Sequence, residues 1–242
     1  MIIIWACAND AVRRKTFAVD IDGTITENGG GRINLDALNS LRYMRKLGHN
    51  VIFVSGRSSI EGYLLAVYGG LNTLAVGENG GCITSGANEH LLLGNKEKCI
   101  EALHLIRSQM SNVVEKPVFP RMTEVVLERT FDIDAARQIV ERNNMDVILS
   151  DSQYAIHINS AGINKARGFE EVMKKLDVSR DDVISIGDSD TDIPLFKISK
   201  LSIAVGNASE EVKSHATMSV SSHAGDGVIE ALDRIAPRLL EI

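Results

Sequence analysis

Two carboxylates stand one residue apart at the end of a short apolar run, in the segment Phe17-Ala-Val-Asp20-Ile-Asp22-Gly-Thr24. The apolar run predicts a buried strand, and ionised carboxylates resist burial unless they are paired or bound to a metal. Asp20 and Asp22 are therefore expected where the strand meets water, at the edge where open α/β sheets bind ligands. One acid could be a nucleophile or metal ligand and the other an acid/base. A plain polar turn is the alternative, because Asp-Gly is a common turn pair.

Three later apolar runs also end in polar groups, and parallel strands would bring all of these groups to one sheet edge. The groups are Ser55 with Gly56, Glu78 with Asn79, and Asp188 with Asp192. Carboxylates that converge from distant segments repel one another unless a cation neutralises them. A few oxygen ligands with room for water and phosphate suit Mg²⁺. The sequence therefore predicts a Mg²⁺ site at this edge.

Two further features could hold a phosphate group. Ser55 and Gly56 end a strand and open a helix, so a hydroxyl, backbone N–H groups and the helix dipole would face the same ligand. An ordinary helix N-cap is the alternative for this pair. Lys165 precedes a helix at the point where the strand–helix pattern resumes. Its charge could hold a phosphate and offset the negative charge of the nucleophile.

The elements that would position these residues fall into two kinds. Strands and helices alternate over residues 16–81 and again over 160–242, which predicts an α/β core with a doubly wound, Rossmann-like parallel sheet. Half-exposed strands and two helices over residues 82–159 predict an inserted α+β cap domain with its helices on one side of a sheet. Residues 1–15 are interpreted as an N-terminal extension of unknown role.

Composition excludes several classes of function. The 242-residue chain has a net charge of −6 and no basic stripe, which argues against a nucleic-acid partner. No apolar run approaches the roughly 20 residues of a membrane span. Three cysteines, Cys7, Cys82 and Cys99, lack the spacing of a metal site and indicate reduced thiols in a cytoplasmic protein. We expect a monomer or homodimer that binds a small phosphorylated metabolite.

Four segments, in order along the chain, resemble the four motifs of the haloacid dehalogenase superfamily. They are Asp20-Ile-Asp22-Gly-Thr24, Ser55-Gly-Arg57, Lys165, and Gly187-Asp188 with Asp192. The inserted segment between the second and third motifs resembles the large α/β caps of the Cof-type phosphatases. Within that subgroup the chain most resembles archaeal phosphoglycolate phosphatases, which are similar to sucrose-phosphate phosphatases. Gly77-Glu-Asn-Gly-Gly81 and Ala155-Ile-His157 support this likeness.

The resemblance implies a Mg²⁺-dependent hydrolysis of 2-phosphoglycolate to glycolate and phosphate. Asp20 would attack phosphorus to give an aspartyl-phosphate, and Asp22 would act as the acid/base. Mg²⁺ would be bound by the Asp20 carboxylate, the Asp22 backbone carbonyl, Asp188, and Asp192 directly or through water. Phosphate oxygens would be held by Ser55, the Gly56 N–H and Lys165. The cap would close over the site and select the leaving group.

Two cap residues have open alternatives. Arg121 is the candidate partner for a substrate carboxylate, or else a solvated loop arginine. His157 is either a residue of the cap hinge or a packed strand histidine, and it has no part in the implied mechanism.

Other functions share some of these features. A sugar-phosphate or broad small-molecule phosphatase of the same superfamily would use the same motifs. A signalling receiver also gathers Asp, Ser or Thr, and Lys at a parallel sheet edge, but the long cap and the second acid argue against it. A phosphomutase would return the phosphoryl group to the substrate.

Overall fold

A computed structural model describes residues 14–27, 31–152 and 154–239. An eight-stranded sheet forms its centre, with the strand order β11-β10-β9-β1-β2-β3-β4-β5. These strands are β1 (Thr16–Val19), β2 (Asn50–Val54), β3 (Ala75–Gly77), β4 (Cys82–Gly86), β5 (Glu89–Leu92), β9 (Val183–Gly187), β10 (Leu201–Ala204) and β11 (Met218–Ser219). All neighbours from β11 to β3 are parallel, whereas β4 and β5 are antiparallel to the strands beside them.

Helices cover both faces of this sheet, as the doubly wound prediction requires. They are α1 (Leu35–Lys46), α2 (Ser59–Gly69), α5 (Lys165–Leu176), α6 (Ile193–Ile198), α7 (Glu210–His215) and α8 (Ala224–Ile235). Alternate residues of β1 point to opposite faces: Phe17 and Val19 pack with α1 and α8, and Ala18 packs with α5 and α6. Because both faces are covered, the parallel strands are mostly apolar and their residues are almost all buried. The predicted α/β fold class is confirmed.

A second, three-stranded antiparallel sheet in the order β6-β8-β7 belongs to the inserted segment. Its elements are α3 (Lys96–Gln109), β6 (Val125–Leu127), α4 (Ile133–Arg142), β7 (Val147–Asp151) and β8 (Ile156–Ser160). Both helices pack on one face of this sheet around Ile106, Ile139 and Ile158. The helices therefore lie on one side of an antiparallel sheet, as the alternation of the sequence predicts.

The start of the cap at residue 82 needs correction. Residues 82–92 form the β4–β5 hairpin, which pairs with β3 and extends the core sheet. The turn before the hairpin reverses the chain direction, and the buried Cys82 and Ile83 then pack as part of the core layer. We define the cap from here on as residues 93–159, which contain the whole three-stranded sheet except the last residue of β8.

Most of the predicted N-terminal extension, residues 1–13, lies outside the described residues. Lys15 is tied to the core, since its carbonyl accepts a hydrogen bond from the Asn50 N–H and its Nζ lies 2.8 Å from Asp182 Oδ1. Among the described residues, no helix combines the length and apolar character needed to cross a bilayer.

Candidate active site

A cavity of about 1010 Å³ lies between the carboxyl ends of the core strands and the cap. Core loops after β1, β2, β3, β9 and β10 line one side, and the cap lines the other with residues 117–121, Val126, Ser152, Tyr154 and His157. This edge is where an open α/β sheet leaves room for a ligand, because the connections diverge from the strand ends.

Lys165 joins the first and last predicted motifs. It is the first residue of α5, is 2% exposed, and its Nζ lies 2.7 Å from Asp20 Oδ1 and 2.7 Å from Asp192 Oδ1. Burial opposes the charge of this amine, but Asp192 and Asp20 outweigh that effect and raise the pKa of Lys165 above its ordinary value. The ammonium group is therefore held in its charged form between two carboxylates.

Asp192 is fully buried and does not line the cavity. Its Oδ1 accepts from Lys165, and its Oδ2 accepts hydrogen bonds from the backbone N–H groups of Asp188 and Ser189 at 3.1 and 3.0 Å. Asp192 thus orders both the lysine and the loop that presents Asp188.

Three carboxylates could together hold a cation. Oxygen atoms of Asp20, Asp188 and Asp192 lie within 4.8 Å of one another. Burial raises the pKa of Asp20 well above its ordinary value, with Lys165 acting in the opposite direction. Burial, followed by the charge of Asp192, raises the pKa of Asp188 to about 7. One ammonium group does not balance three clustered acids, and their all-oxygen donor set fits Mg²⁺.

Asn207 and Thr24, for which the sequence predicted no role, both donate hydrogen bonds to the Asp188 carboxylate. Asn207 donates to Asp188 Oδ2 at 3.0 Å and to the Gly23 carbonyl at 2.9 Å, and Thr24 Oγ1 donates to Asp188 Oδ1 at 3.2 Å. Gly23 has a φ of +74°, and a Cβ there would lie 2.2 Å from Asp188 Oδ2. Glycine at this turn therefore lets the β1 loop approach Asp188 closely.

Asp22 lies in the same cavity but outside the acid cluster. Arg57 donates from Nε and Nη2 to its two carboxylate oxygens, each at 2.7 Å, and from Nη1 to Glu61 at 3.1 Å. The predicted metal contact of Asp22 concerns its backbone carbonyl and stays a prediction. Arg57 is the last residue of the Ser55-Gly-Arg57 motif, and its position two residues after Ser55 is the sequence feature that indicates its place in the cavity.

Ser55 and Gly56 line the cavity beside Asn79. The Ser55 hydroxyl accepts a hydrogen bond from the Arg57 N–H at 3.1 Å. Asn79 is 5% exposed, and its side-chain amide has no partner among the residues that the structure describes. The β3 turn thus places an unsatisfied amide next to the predicted phosphate site.

The side chain of Arg121 is nearly buried, which contradicts the alternative of a solvated loop arginine. Its side chain is 7% exposed, its Nη1 donates to the Gly56 carbonyl at 2.7 Å, and the same atom lies 3.2 Å from Glu124 Oε1. Its Nε has no partner within the described part of the chain. A cap guanidinium therefore contacts the predicted phosphate loop.

His157 is a packed strand histidine, and not a hinge residue. It lies in β8 with 3% exposure, and its Nδ1 is 3.0 Å from Glu124 Oε2. Glu124 also accepts from Asn159 at 2.9 Å. Burial raises the pKa of Glu124, but His157 and Arg121 reverse that effect and hold the pKa below its ordinary value.

The chain matches a family model and curated relatives over nearly its whole length. Residues 17–107 and 110–232 match the model of haloacid dehalogenase-like hydrolases. Phosphoglycolate phosphatase of Nitrosopumilus maritimus is 67% identical over 231 residues, which cover 96% of this chain and 100% of that protein. Phosphoglycolate phosphatase of Archaeoglobus fulgidus is 37% identical over 220 residues, covering 90% and 95%.

Solved structures show the same fold. A crystal structure from Thermoplasma acidophilum has a TM-score of 0.81 at 21% identity, covering 94% of this chain and 99% of that one. A sugar phosphatase of haloacid dehalogenase subclass IIB has a TM-score of 0.74 at 16% identity, covering 92% and 99%. The chain belongs to the haloacid dehalogenase-like hydrolases, as its four motifs predicted.

Proposed function

We propose that this hydrolase is a Mg²⁺-dependent phosphatase that converts 2-phosphoglycolate to glycolate and phosphate. The reaction type is supported by one observation: Asp20 and Asp22 line the same cavity but have different surroundings. Asp20 lies within the acid cluster and forms an ion pair with Lys165, whereas Asp22 lies elsewhere in the cavity and forms an ion pair with Arg57. The choice of substrate is supported by two relatives, 67% and 37% identical, that are named phosphoglycolate phosphatase.

Asp20 would act as the nucleophile. Because Lys165 binds its Oδ1, the carboxylate is held in one orientation, and an oxygen of Asp20 would form the new bond to phosphorus. The bond between phosphorus and the ester oxygen breaks at the same time. Asp22 would donate a proton to that oxygen to release glycolate, and would then take a proton from the water that hydrolyses the aspartyl-phosphate. Asp22 would free one carboxylate oxygen for these proton transfers, while the other oxygen stays on Arg57 and keeps the carboxylate oriented.

Other residues would bind the phosphoryl group and the metal. The Ser55 hydroxyl, the Gly56 N–H and Lys165 would hold phosphate oxygens. Mg²⁺ would be held by the Asp20 carboxylate, the Asp22 backbone carbonyl and Asp188. Asp192 would contribute through water, because both of its oxygens already accept hydrogen bonds. When bound, Mg²⁺ would supply charge neutralisation for the phosphoryl group.

Arg121 would bind the carboxylate at the other end of the substrate. Its guanidinium borders the cavity next to Gly56, so an anion bound there would lie beside the phosphate site. The free thiols Cys82 and Cys99 support a cytoplasmic location, and we expect a monomer or homodimer.

Substitution of the nucleophile tests the reaction type. Asp20→Asn should abolish phosphate release from p-nitrophenyl phosphate and from phosphoglycolate, while Asp226→Asn, an exposed acid on α8 that pairs with Asn34, should retain it. EDTA should stop turnover and added Mg²⁺ should restore it. Retained activity in Asp20→Asn would contradict the proposal.

A sugar phosphatase is the second candidate, because a cavity of about 1010 Å³ exceeds the needs of a two-carbon ester. Phosphoglycolate, sucrose 6-phosphate and other phosphate esters assayed side by side would decide between them. A phosphoenzyme that lasts minutes without multiple turnover would favour a receiver, and labelled phosphate appearing in a second phosphate ester would favour a mutase.

A further inference from the structure

The turn from Gly77 to Gly81 has a conformation that the chemistry above does not explain. Glu78 and Asn79 have φ angles of +55° and +52°, both in the left-handed region. Each such residue other than glycine costs about 1 kcal/mol, and the conformation persists only where its surroundings hold it. The contacts of the Glu78 side chain show what holds it.

Glu78 is fully buried and bridges the core to the cap. Its carboxylate accepts from the Met122 N–H at 2.9 and 3.0 Å, from the Thr123 N–H at 2.7 Å and from the Thr123 hydroxyl at 2.7 Å. Charged acceptors make strong hydrogen bonds, and two consecutive backbone N–H groups of the cap are fixed by one core carboxylate.

Two glycines, Gly81 of the core and Gly94 of the cap, allow close packing around Thr123. A Cβ on Gly81 would lie 2.2 Å from Thr123 Oγ1, and a Cβ on Gly94 would lie 2.9 Å from the Thr123 Cβ. Thr123 is therefore packed tightly at the point where it meets Glu78. Arg121 directly precedes them, and its guanidinium contacts Gly56 on the same side of the cavity.

We propose that Glu78 is a positioning residue for substrate specificity. By fixing the backbone of Met122 and Thr123, it holds the Arg121 guanidinium beside Gly56, where Arg121 binds the carboxylate of a short phosphate ester. This inference rests on the proposed function, since it takes Arg121 as the group that binds the substrate carboxylate. The contacts with Met122 and Thr123 also provide the surroundings that hold Glu78 in its left-handed conformation.

A matched pair of inhibitors tests the role of Glu78 in binding. 3-Phosphonopropionate has both a phosphonate and a carboxylate, whereas propylphosphonate has the same length without the carboxylate. The measured quantity is the ratio of their inhibition constants with p-nitrophenyl phosphate as substrate. The wild-type enzyme should prefer 3-phosphonopropionate by about tenfold or more, the worth of a charged hydrogen bond.

Glu78→Gln should shift this preference toward that of Arg121→Gln, because the bonds to the cap lose their charge and the amide NH₂ that replaces Oε1 cannot accept from the Met122 N–H. In the double variant the effects should not add, since Glu78 acts through Arg121. Glu230→Gln is the matched control: Glu230 also accepts from two consecutive backbone N–H groups, at Ser221 and Ser222, but outside the cavity. The control should keep the wild-type preference.

The outcomes separate the two proposals. A wild-type enzyme with no preference between the inhibitors contradicts carboxylate binding by Arg121, and with it the proposed substrate. A wild-type preference that survives in Glu78→Gln, or additive losses in the double variant, overturns the role of Glu78 alone. If Glu78→Gln does not fold, Thr123→Val removes one of the Glu78 contacts, and it should lower the preference partially; full retention there also overturns the proposal.

Discussion

Arg57 forms a bidentate ion pair with Asp22, with Nε and Nη2 each 2.7 Å from a carboxylate oxygen. The planar guanidinium fixes both the position and the rotation of the carboxylate, which a lysine ammonium cannot do. Glu61 binds the third nitrogen of Arg57 and begins a chain of contacts from α2 to the acid/base candidate. The orientation of Asp22 is therefore set by a residue on the loop that also contains Ser55 and Gly56.

Arg57→Lys should lower kcat for alkyl phosphates by about tenfold, because proton transfer needs an oriented acid. The effect on p-nitrophenyl phosphate should be smaller, since p-nitrophenolate leaves without a proton. Steady-state kinetics on both esters measure the difference. Arg137→Lys, which alters a remote pair with Asp134 on α4, is the control, and an equal loss on both esters would contradict an orienting role.

Proton release should accompany Mg²⁺ binding. The pKa of Asp188 is raised to about 7 and that of Asp20 is raised as well, so below neutral pH the metal-free site holds protons that the cation must displace. Mg²⁺ affinity should therefore increase as pH rises through about 7. Calorimetry in buffers with different ionisation enthalpies should show close to one proton or more released at about pH 6 and fewer at about pH 8.5.

The raised pKa of Asp188 also makes the stability of the metal-free protein depend on pH. Because the pKa of Asp188 is raised from 3.8 to about 7, the folded protein binds more protons than the unfolded chain between those values. The contribution of Asp188 to the free energy of unfolding is fully present below the pKa of the unfolded chain, and it is lost as pH rises through the pKa of the folded protein. In EDTA, Asp188→Asn should flatten the fall of Tm over this range. A steeper fall in the variant would contradict this assignment.

The sequence predicted that acids from distant segments meet at one edge of the sheet, since several core strands are apolar runs that stop at a polar residue. Val19 and Ile186 are followed by acids of the site, and parallel pairing of β1 with β9 brings these ends together. The mostly apolar composition of these strands results from burial on both faces. For the core, the strands predicted from the local apolar pattern are therefore the strands that pair in the sheet.

Long-range polar partners could not be predicted. Asn207 contacts Gly23, 184 residues away in the sequence, and Arg121 contacts Gly56, 65 residues away. The spacing of apolar residues along the chain does not predict such pairs. The sequence analysis placed the β4–β5 hairpin in the cap. Two left-handed residues, Glu78 and Asn79, reverse the chain after β3, so that antiparallel strands extend a sheet that is parallel up to that point. β6 begins at Val125, because the Thr123 N–H donates to Glu78 and the Glu124 carbonyl accepts from Lys96.

Lys165→Gln should destabilise the protein by roughly 3 kcal/mol in the absence of metal, because removing one partner of a buried ion pair leaves its charge uncompensated. Here two carboxylates, Asp20 and Asp192, lose their cation. Urea unfolding in EDTA measures the loss, and adding Asp192→Asn should recover part of it. Lys174→Gln, at an exposed pair with Glu171, should change stability by less than about 1 kcal/mol. Equal effects of the two lysines would contradict this account.

Gly23→Ala should weaken Mg²⁺ binding more than backbone strain alone explains. A Cβ at Gly23 would lie 2.2 Å from Asp188 Oδ2, so the Asp188 carboxylate must shift from its position in the acid cluster. Gly162→Ala is the matched control, because Gly162 has a similar φ of +77° with no atom within 4 Å of the added Cβ. Both variants should lose about 1 kcal/mol of stability from the left-handed backbone, but only Gly23→Ala should need several-fold more Mg²⁺ for half-maximal activity. If both variants required the same Mg²⁺ concentration as the wild type, the close approach of this turn to Asp188 would have no part in metal binding.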